Sequence, residues 1–125
     1  MRDEKVISIR PNLNLPKNSF NPIEGFQNHT LRPILKFQNP LTKQLLDNSK
    51  HFQKRLDKVG TANVETYQSL LNNYLSSDLV FKNRLIGCIV GLMHKDELEF
   101  YLAHASEINK RIMQMQVQRY VSQYE

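Results

Sequence analysis

The sequence contains a single cysteine, Cys88, no tryptophan, and only four glycines and five prolines among 125 residues. One cysteine cannot form an internal disulfide bond, which fits a reducing compartment. The low glycine and proline content, together with 40% hydrophobic residues, excludes a fibrous or disordered chain. We therefore expect one soluble globular domain with its own hydrophobic core.

Long hydrophobic runs are also missing. The longest, Leu85 to Met93, is nine residues. That run would span only about 13 Å as a helix, whereas a bilayer requires roughly 20 apolar residues. The first residues include Asp3 and Glu4 and lack the apolar core of a secretory signal. We therefore predict no membrane association and a cytoplasmic location.

The motifs of several enzyme classes are absent. The sequence contains no H-E-x-x-H, no Gly-rich nucleotide loop and no G-x-S-x-G. No glutamate has a histidine three residues later, which excludes the usual di-iron helical bundle. His94 and Glu97, one helical turn apart, are interpreted as an exposed helix start in preference to a metal-binding pair. We expect no catalytic residue, no metal ligand and no cofactor.

Positive charge is concentrated in one half of the chain. Residues 1–58 carry a net charge of +6 and residues 59–125 carry −1. Five basic residues share one helical segment, which is a plausible phosphate-facing stripe for nucleic acid. They are Lys43, Lys50, Lys54, Arg55 and Lys58. The simpler interpretation is a solvated basic face, because Asp47 and Asp57 interrupt the stripe.

Apolar residues recur with helical spacing over most of the chain, which predicts an all-α fold. We expect a small bundle of four to five helices over residues 22–125, preceded by an extended arm over residues 1–21. The pattern from Thr30 continues past Pro40 to Val59, so we favour one kinked helix there over a break, with Gly60 as its stop.

Helix starts are predicted from capping residues. Asn21 precedes Pro22 as an N-cap precedes a first-turn proline. Thr61 or Asn63 is expected to cap the next helix. Ser77 is expected to cap the one after it, with Asp78 in its first turn. In the last helical pattern, a short break is expected near Ser106.

Gly87 and Gly91 fall on one face of a helix, where they leave a flat area. Each glycine costs about 1 kcal/mol relative to alanine in a helix interior, and close packing of another helix usually offsets such a cost. We expect that packing within the fold; a homodimer contact is the alternative. Cys88, between them, is predicted to be a small buried hydrophobic residue.

A run of amides and positive charge is the most unusual local pattern. It covers residues 24–40 and forms a candidate interaction surface for a peptide, an anion or a polar ligand. The residues are Gln27, Asn28, Arg32, Lys36, Gln38 and Asn39. The alternative interpretation is a solvated face with buried helix caps.

The phrases FQNHTLRPILKFQN (Phe26 to Asn39), FKNRLIGCIVG (Phe81 to Gly91) and NKRIMQM (Asn109 to Met115) resemble a group of short helical bacterial proteins. Some members of that group carry the name glyoxalase. The name implies a metal-dependent lyase with a vicinal-oxygen-chelate fold, in which paired βαβββ modules hold a metal through histidine and glutamate on strands. The resemblance assigns no catalytic or metal-binding residue in this sequence.

The leading hypothesis is a non-catalytic helical interaction module that binds a protein partner or a second copy of itself. It depends on the missing catalytic motifs, the two helix glycines and the polar and basic residues around Arg32. The alternatives are a glyoxalase-like lyase, from the resemblance, and a nucleic-acid-associated accessory protein, from the basic stripe.

Overall fold

The computed structural model describes residues 1–11, 21–60 and 63–124. These residues form eight α-helices and one π-helical turn, and they contain no strand. The elements are α1 (Arg2–Ile9), α2 (Pro22–Phe26), the π-helical turn (Gln27–Leu31), α3 (Arg32–Asp47), α4 (Lys50–Val59), α5 (Val64–Ser77), α6 (Leu79–Val90), α7 (Lys95–Ala103) and α8 (Ala105–Gln123).

The all-α prediction is confirmed for the described ranges, but the predicted number of helices is too low. When α2, the π-helical turn and α3 are counted as one continuous helix, seven helices replace the expected four to five. Within these ranges, no helix combines the length and the apolar character that crossing a bilayer requires.

The predicted extended arm is helical where the structure describes it. Residues Arg2–Ile9 form α1, with Asp3 and Glu4 in the first turn, where negative charge favours the helix dipole. Val6 is the buried residue of this helix. Eight residues are too few for a stable isolated helix, so α1 depends on contacts with distant residues. Residues 12–20 of the predicted arm lie outside the described ranges.

One helical segment runs from Pro22 to Asp47. Asn21 is its N-cap, as predicted, and the Asn21 side chain accepts a hydrogen bond from the Ile23 amide at 2.9 Å. The helix continues through Pro40, as favoured from the sequence. Pro40 is exposed, where water can replace the backbone hydrogen bond that proline removes.

The expectation that this helix extends to Gly60 is wrong. α3 ends at Asp47, and Ser49 begins α4 by accepting a hydrogen bond from the Phe52 amide. A serine that caps a new helix competes with continuation of the old one. Gly60 does end α4, and its φ of 79° favours glycine.

The later helices begin at polar caps. Asn63 caps α5, which is one of the two predicted candidates; the other, Thr61, lies outside the described residues. Asp78, not Ser77, caps α6, because the Asp78 carboxylate accepts the Phe81 amide at 3.0 Å. The predicted break in the last helical pattern occurs at His104, between α7 and α8.

Two adjoining core clusters hold the helices together. The first contains Leu31, Ile34 and Ile89, and the second contains Phe52, Leu71 and Leu85. α8 runs through both clusters: Ile108 and Ile112 belong to the first, Val117 and Tyr120 belong to the second, and Met113 packs against both. α8 is therefore the element around which the other helices assemble.

Candidate functional site

The predicted interaction surface is largely used by the fold itself. Gln27 accepts a hydrogen bond from Arg111 of α8 at 2.8 Å, and Asn28 accepts one from Arg32, one turn away, at 2.9 Å. Arg32 and Lys36 remain exposed. The first two amides therefore serve the helix and its contact with α8.

The other two amides of that surface also make contacts within the fold. Gln38 donates a hydrogen bond to the carbonyl of Cys88 at 2.8 Å, which ties α3 to α6. Asn39 accepts one from Gln123 at 2.7 Å, which ties α3 to the end of α8. Gln27, Gln38 and Asn39 thus join helices and are not the buried helix caps of the alternative interpretation. The exposure of Arg32 and Lys36 fits either interpretation.

The described residues do not supply the expected close packing at Gly87 and Gly91. Both glycines are exposed. Apart from its chain neighbours and the backbone of its own helix, a Cβ built at Gly87 meets no described heavy atom within 4 Å. A Cβ built at Gly91 meets the Gly87 carbonyl at 3.1 Å. Cys88 is partly buried. Burial raises the pKa of its thiol, against a smaller opposing effect of Arg84, so the thiol is poorly activated as a nucleophile.

A buried carboxylate, Glu97, organises the start of α7. Arg10 donates to both carboxylate oxygens, at 2.5 and 2.9 Å, and the Thr30 hydroxyl donates at 2.8 Å. Glu97 and His94 also form a reciprocal capping box. The predicted helix start is confirmed, but Glu97 is only 9% exposed and the expected exposure is wrong.

These hydrogen bonds keep Glu97 ionised. Burial alone would raise its pKa, but the hydrogen bonds from Arg10, from the His94 amide and from Thr30 outweigh that effect and lower it. A carboxylate held in this way is a fixed acceptor and a poor general acid. Among the described residues, no group of three or more His, Cys, Asp or Glu side chains could hold a metal ion.

Arg10 belongs to a set of contacts that attach α1 to the connection between α6 and α7. Arg2 donates to the carbonyls of Gly91 and Met93, both at 2.7 Å, and Asp3 accepts the Lys95 amide at 3.0 Å. We call these contacts, with the Arg10–Glu97 pair, the N-terminal clasp. It explains why α1 is helical although little of it is buried.

A concave surface lies between α3, α4 and α6. It has two adjoining compartments, of about 760 and 570 Å³, which share His51, Asp78 and Val80. We call this surface the basic cleft. Its apolar lining is Leu41, Leu45, Leu79, Val80 and Phe81.

Several of the apolar lining residues are open to solvent. Leu41 is 44% exposed, Leu79 is 59% exposed and Val80 is 72% exposed. The polar part of the lining is fixed by contacts within the fold: the Tyr74 hydroxyl shares a hydrogen bond of 2.6 Å with Ser49, and the Arg55 guanidinium lies 5.3 Å from the centre of the Tyr74 ring. The cleft therefore has a fixed polar base and an uncovered apolar wall.

Positive charge surrounds this apolar wall. The basic residues that line the cleft are Lys50, His51, Lys54, Arg55, Lys58 and Arg84. Asp78 is the acidic residue among the lining side chains, and its carboxylate caps α6. The hydrogen bond from the Phe81 amide lowers the pKa of Asp78. The cleft is therefore strongly cationic and attracts negative charge.

The cleft contains serine, histidine and aspartate, but they do not form a catalytic triad. The Ser49 hydroxyl is hydrogen-bonded to the Tyr74 hydroxyl and caps α4. The Asp78 carboxylate accepts a hydrogen bond from the Phe81 amide of α6. No described hydrogen bond joins Ser49 to His51. A nucleophile needs a base within hydrogen-bond reach, and the described contacts of Ser49 do not include one.

Sequence reasoning found only part of this site. Four of the cleft cations, on α4, belong to the predicted basic stripe; Lys43 of that stripe pairs instead with Asp47 at 2.9 Å, away from the cleft lining. The apolar wall was missed because Leu41 continues the helical spacing of apolar residues from Thr30 to Val59, which predicts a core position. An exposed Leu79-Val80 pair directly after a cap is the signal that could have found it.

The vicinal-oxygen-chelate fold, which the name glyoxalase implies, requires strands, and the described parts of the chain contain none. The fold expected from that resemblance is therefore not the fold of these residues. Comparison of the chain with protein-family models, curated proteins and solved structures finds no match.

Proposed function

We propose that this protein is a non-catalytic helical interaction module whose basic cleft binds an acidic amphipathic helix of a protein partner. The single observation that supports this most directly is the exposed apolar wall of Leu41, Leu79 and Val80 within a cationic rim. An amphipathic helix with apolar residues on one face and carboxylates beside them complements both features.

The apolar wall supplies most of the expected affinity. Full burial of such a side chain is worth about 1.5–3 kcal/mol. We multiply this value by the exposed fractions of Leu41, Leu79 and Val80. Covering each of these side chains then contributes roughly 1–2 kcal/mol to the free energy of binding. The rim cations add steering and salt dependence more than affinity, because exposed ion pairs are worth about 0–1 kcal/mol each.

We also propose a cytoplasmic location, which the single cysteine supports because it cannot form an internal disulfide. Nucleic-acid binding is the second candidate function. The observation that favours it is the row of Lys50, Lys54 and Lys58 on α4, which could face phosphates. The apolar wall favours the helix, because phosphate backbones offer no apolar surface to cover it.

Fluorescence anisotropy tests the proposal with a labelled helical peptide of leucine, alanine and glutamate, with the leucines on one face. We expect binding that weakens as salt rises, and weaker binding of the same peptide with lysine in place of glutamate. Val80→Asp should weaken binding about tenfold or more, equivalent to about 1.4 kcal/mol.

Val64→Asp is the matched control, because Val64 is also exposed (48%) but lies at the start of α5, outside the cleft lining. It should leave binding unchanged. Absence of peptide binding at low salt refutes the proposal. Binding of a duplex or single-stranded oligonucleotide that Val80→Asp does not affect favours the nucleic-acid function instead.

A further inference from the structure

A second cluster of positive charge lies on the side of α3 that faces away from the basic cleft. Arg32 and Lys36 are one turn apart on α3, and both side chains are exposed. Leu41, on the wall of the cleft, is about 180° round the helix from Arg32. Neither cation lines the cleft, so these two charges are not part of its rim.

Arg119 of α8 lies beside this side of α3. Both helices run from the first core cluster to the second, so they point in the same direction. Gln123, one turn after Arg119, donates a hydrogen bond to Asn39 at 2.7 Å. Lys36 lies about one turn before Asn39. The shared direction of the helices therefore places Arg119 next to the turn of α3 that carries Lys36.

The described ion pairs do not neutralise these charges, because none of them includes Arg32, Lys36 or Arg119. Arg32 donates through its Nε to Asn28, and no described hydrogen bond uses the guanidinium of the partly buried Arg119. Burial and, to a smaller extent, the nearby charge of Arg32 lower the pKa of Arg119. Two like charges that are partly removed from water destabilise the fold, and a bound anion would relieve this cost.

We propose that Arg32, Lys36 and Arg119 form a binding site for a phosphoryl group. A guanidinium can donate to two phosphate oxygens at once, and the lysine ammonium adds a third positive charge. Three cations favour a dianionic phosphate over a singly charged carboxylate or chloride, because the attraction grows with the charge of the anion. This inference goes beyond the proposed function, since the site lies outside the basic cleft.

NMR spectroscopy of the ¹⁵N-labelled protein tests the site with inorganic phosphate as the probe. The titration is run at constant ionic strength, with potassium phosphate replacing potassium chloride, at a pH where phosphate is mainly dianionic. The Nε–H signals of Arg32 and Arg119 should shift and then saturate, with a dissociation constant on the order of 1 mM. Chloride at the same ionic strength should not produce these shifts.

Variants of the two arginines and of one cleft lysine locate the bound phosphate. Arg119→Gln should weaken binding at least about tenfold, and Arg119→Lys should weaken it less, because it keeps the charge but loses the planar fork. Arg32→Gln changes an exposed side chain and should also weaken binding. Lys54→Gln, which removes a cation from the cleft lining, is the matched control and should change the dissociation constant by less than about twofold. Circular dichroism melts verify that each variant folds.

Two results would overturn this inference. One is the absence of saturable shifts at both arginines. The other is phosphate binding that Lys54→Gln removes and Arg119→Gln does not, which would place the anion in the cleft. The proposed function is tested separately, because Arg119→Gln should leave binding of the leucine–glutamate peptide unchanged.

Vesicles distinguish the two sources of a phosphoryl group, a lipid headgroup and a soluble molecule. The wild-type protein and Arg119→Gln are sedimented with phosphatidylcholine vesicles that contain or lack phosphatidic acid. Cosedimentation that requires both phosphatidic acid and Arg119 supports the site and assigns the group to a lipid. Phosphate binding in the NMR titration without such cosedimentation supports the site and assigns the group to a soluble molecule.

Discussion

Removal of the Arg10 side chain is the sharpest test of the N-terminal clasp. The Arg10 and Glu97 side chains are each only 10% exposed, and their closest atoms are 2.5 Å apart. Arg10→Ala would leave a buried carboxylate without its cation, which typically costs about 3–5 kcal/mol. Thr30 and the His94 amide still donate to Glu97, so we expect a loss of about 2–3 kcal/mol in the free energy of unfolding.

A second ion pair, which is exposed to solvent, serves as a control for the effect of burial. Lys43 and Asp47 form an ion pair of similar length, 2.9 Å, but their side chains are 48% and 56% exposed. Lys43→Ala should therefore cost about 0.5 kcal/mol or less. A loss of 2–3 kcal/mol corresponds to a fall in melting temperature of roughly 8–12 °C for a chain of this length.

Urea unfolding followed by circular dichroism measures both variants on one scale. The Arg10→Ala loss should become small in a Glu97→Gln background, because the uncompensated charge is then absent. Equal effects of Arg10→Ala and Lys43→Ala would refute the argument that burial makes the clasp strong. A large effect that persists in the Glu97→Gln background would place the role of Arg10 elsewhere.

Three further predictions follow from the same structure. Folding lowers the pKa of Glu97. The Glu97 carboxylate therefore stabilises the folded protein at a pH above the pKa that Glu97 has in the unfolded chain. This stabilisation is lost as the pH falls through the pKa of Glu97 in the folded protein. The stability difference between wild type and Glu97→Gln should therefore shrink from roughly pH 5 downward in urea titrations at stepped pH. Ser49→Ala should lower the free energy of unfolding by about 2 kcal/mol, because it removes the cap of α4 and the hydrogen-bond partner of the buried Tyr74 hydroxyl. An unchanged midpoint of urea unfolding would contradict this prediction. Gly87→Ala should raise the free energy of unfolding by about 0.5–1 kcal/mol, because the added methyl meets no described atom beyond its chain neighbours and its own helix backbone. Gly60→Ala should lower the free energy of unfolding, because φ is +79° there. A thermal melt in which Gly87→Ala is destabilising would restore the close-packing interpretation.

The parts of the fold that depend on neighbouring residues were predictable. Asn21, Asn63 and Gly60 act within one or two turns of their own position. Asp78 was mistaken for a first-turn residue because Ser77 and Asp78 are both good caps, and the choice depends on how α5 ends. Such an ambiguity of one residue is normal at helix boundaries.

The parts that depend on distant residues were not predictable. α1 is attached through Arg2 and Asp3 to a connection about ninety positions later in the sequence, and local propensity contains no information on such a contact. The two glycines on α6 show the same limit. Their shared face follows from spacing, but whether another helix covers that face depends on the assembly of the whole chain.

The basic cleft was partly visible because four of its cations share α4. Its apolar wall is divided between α3 and α6. Helical spacing groups Leu41 with the apolar positions of the segment from Leu31 to Val59. Within α3, however, Thr42 and Leu46 are buried, and Leu41 lies about 100° round the helix from Thr42, at the edge that lines the cleft.

The π-helical turn at Gln27–Leu31 gives one position in this chain an unusual tolerance of a change in length. A π-helical turn holds one residue more than the α-helical turn it replaces, so deletion of one residue there would yield a regular helix. Both kinds of turn complete one rotation, so the extra residue is absorbed within the turn and α3 keeps nearly the same phase relative to α2. Leu41 would therefore keep its place in the cleft lining after such a deletion. A deletion of one residue within α3, between Arg32 and Leu41, would instead turn Leu41 by about 100°.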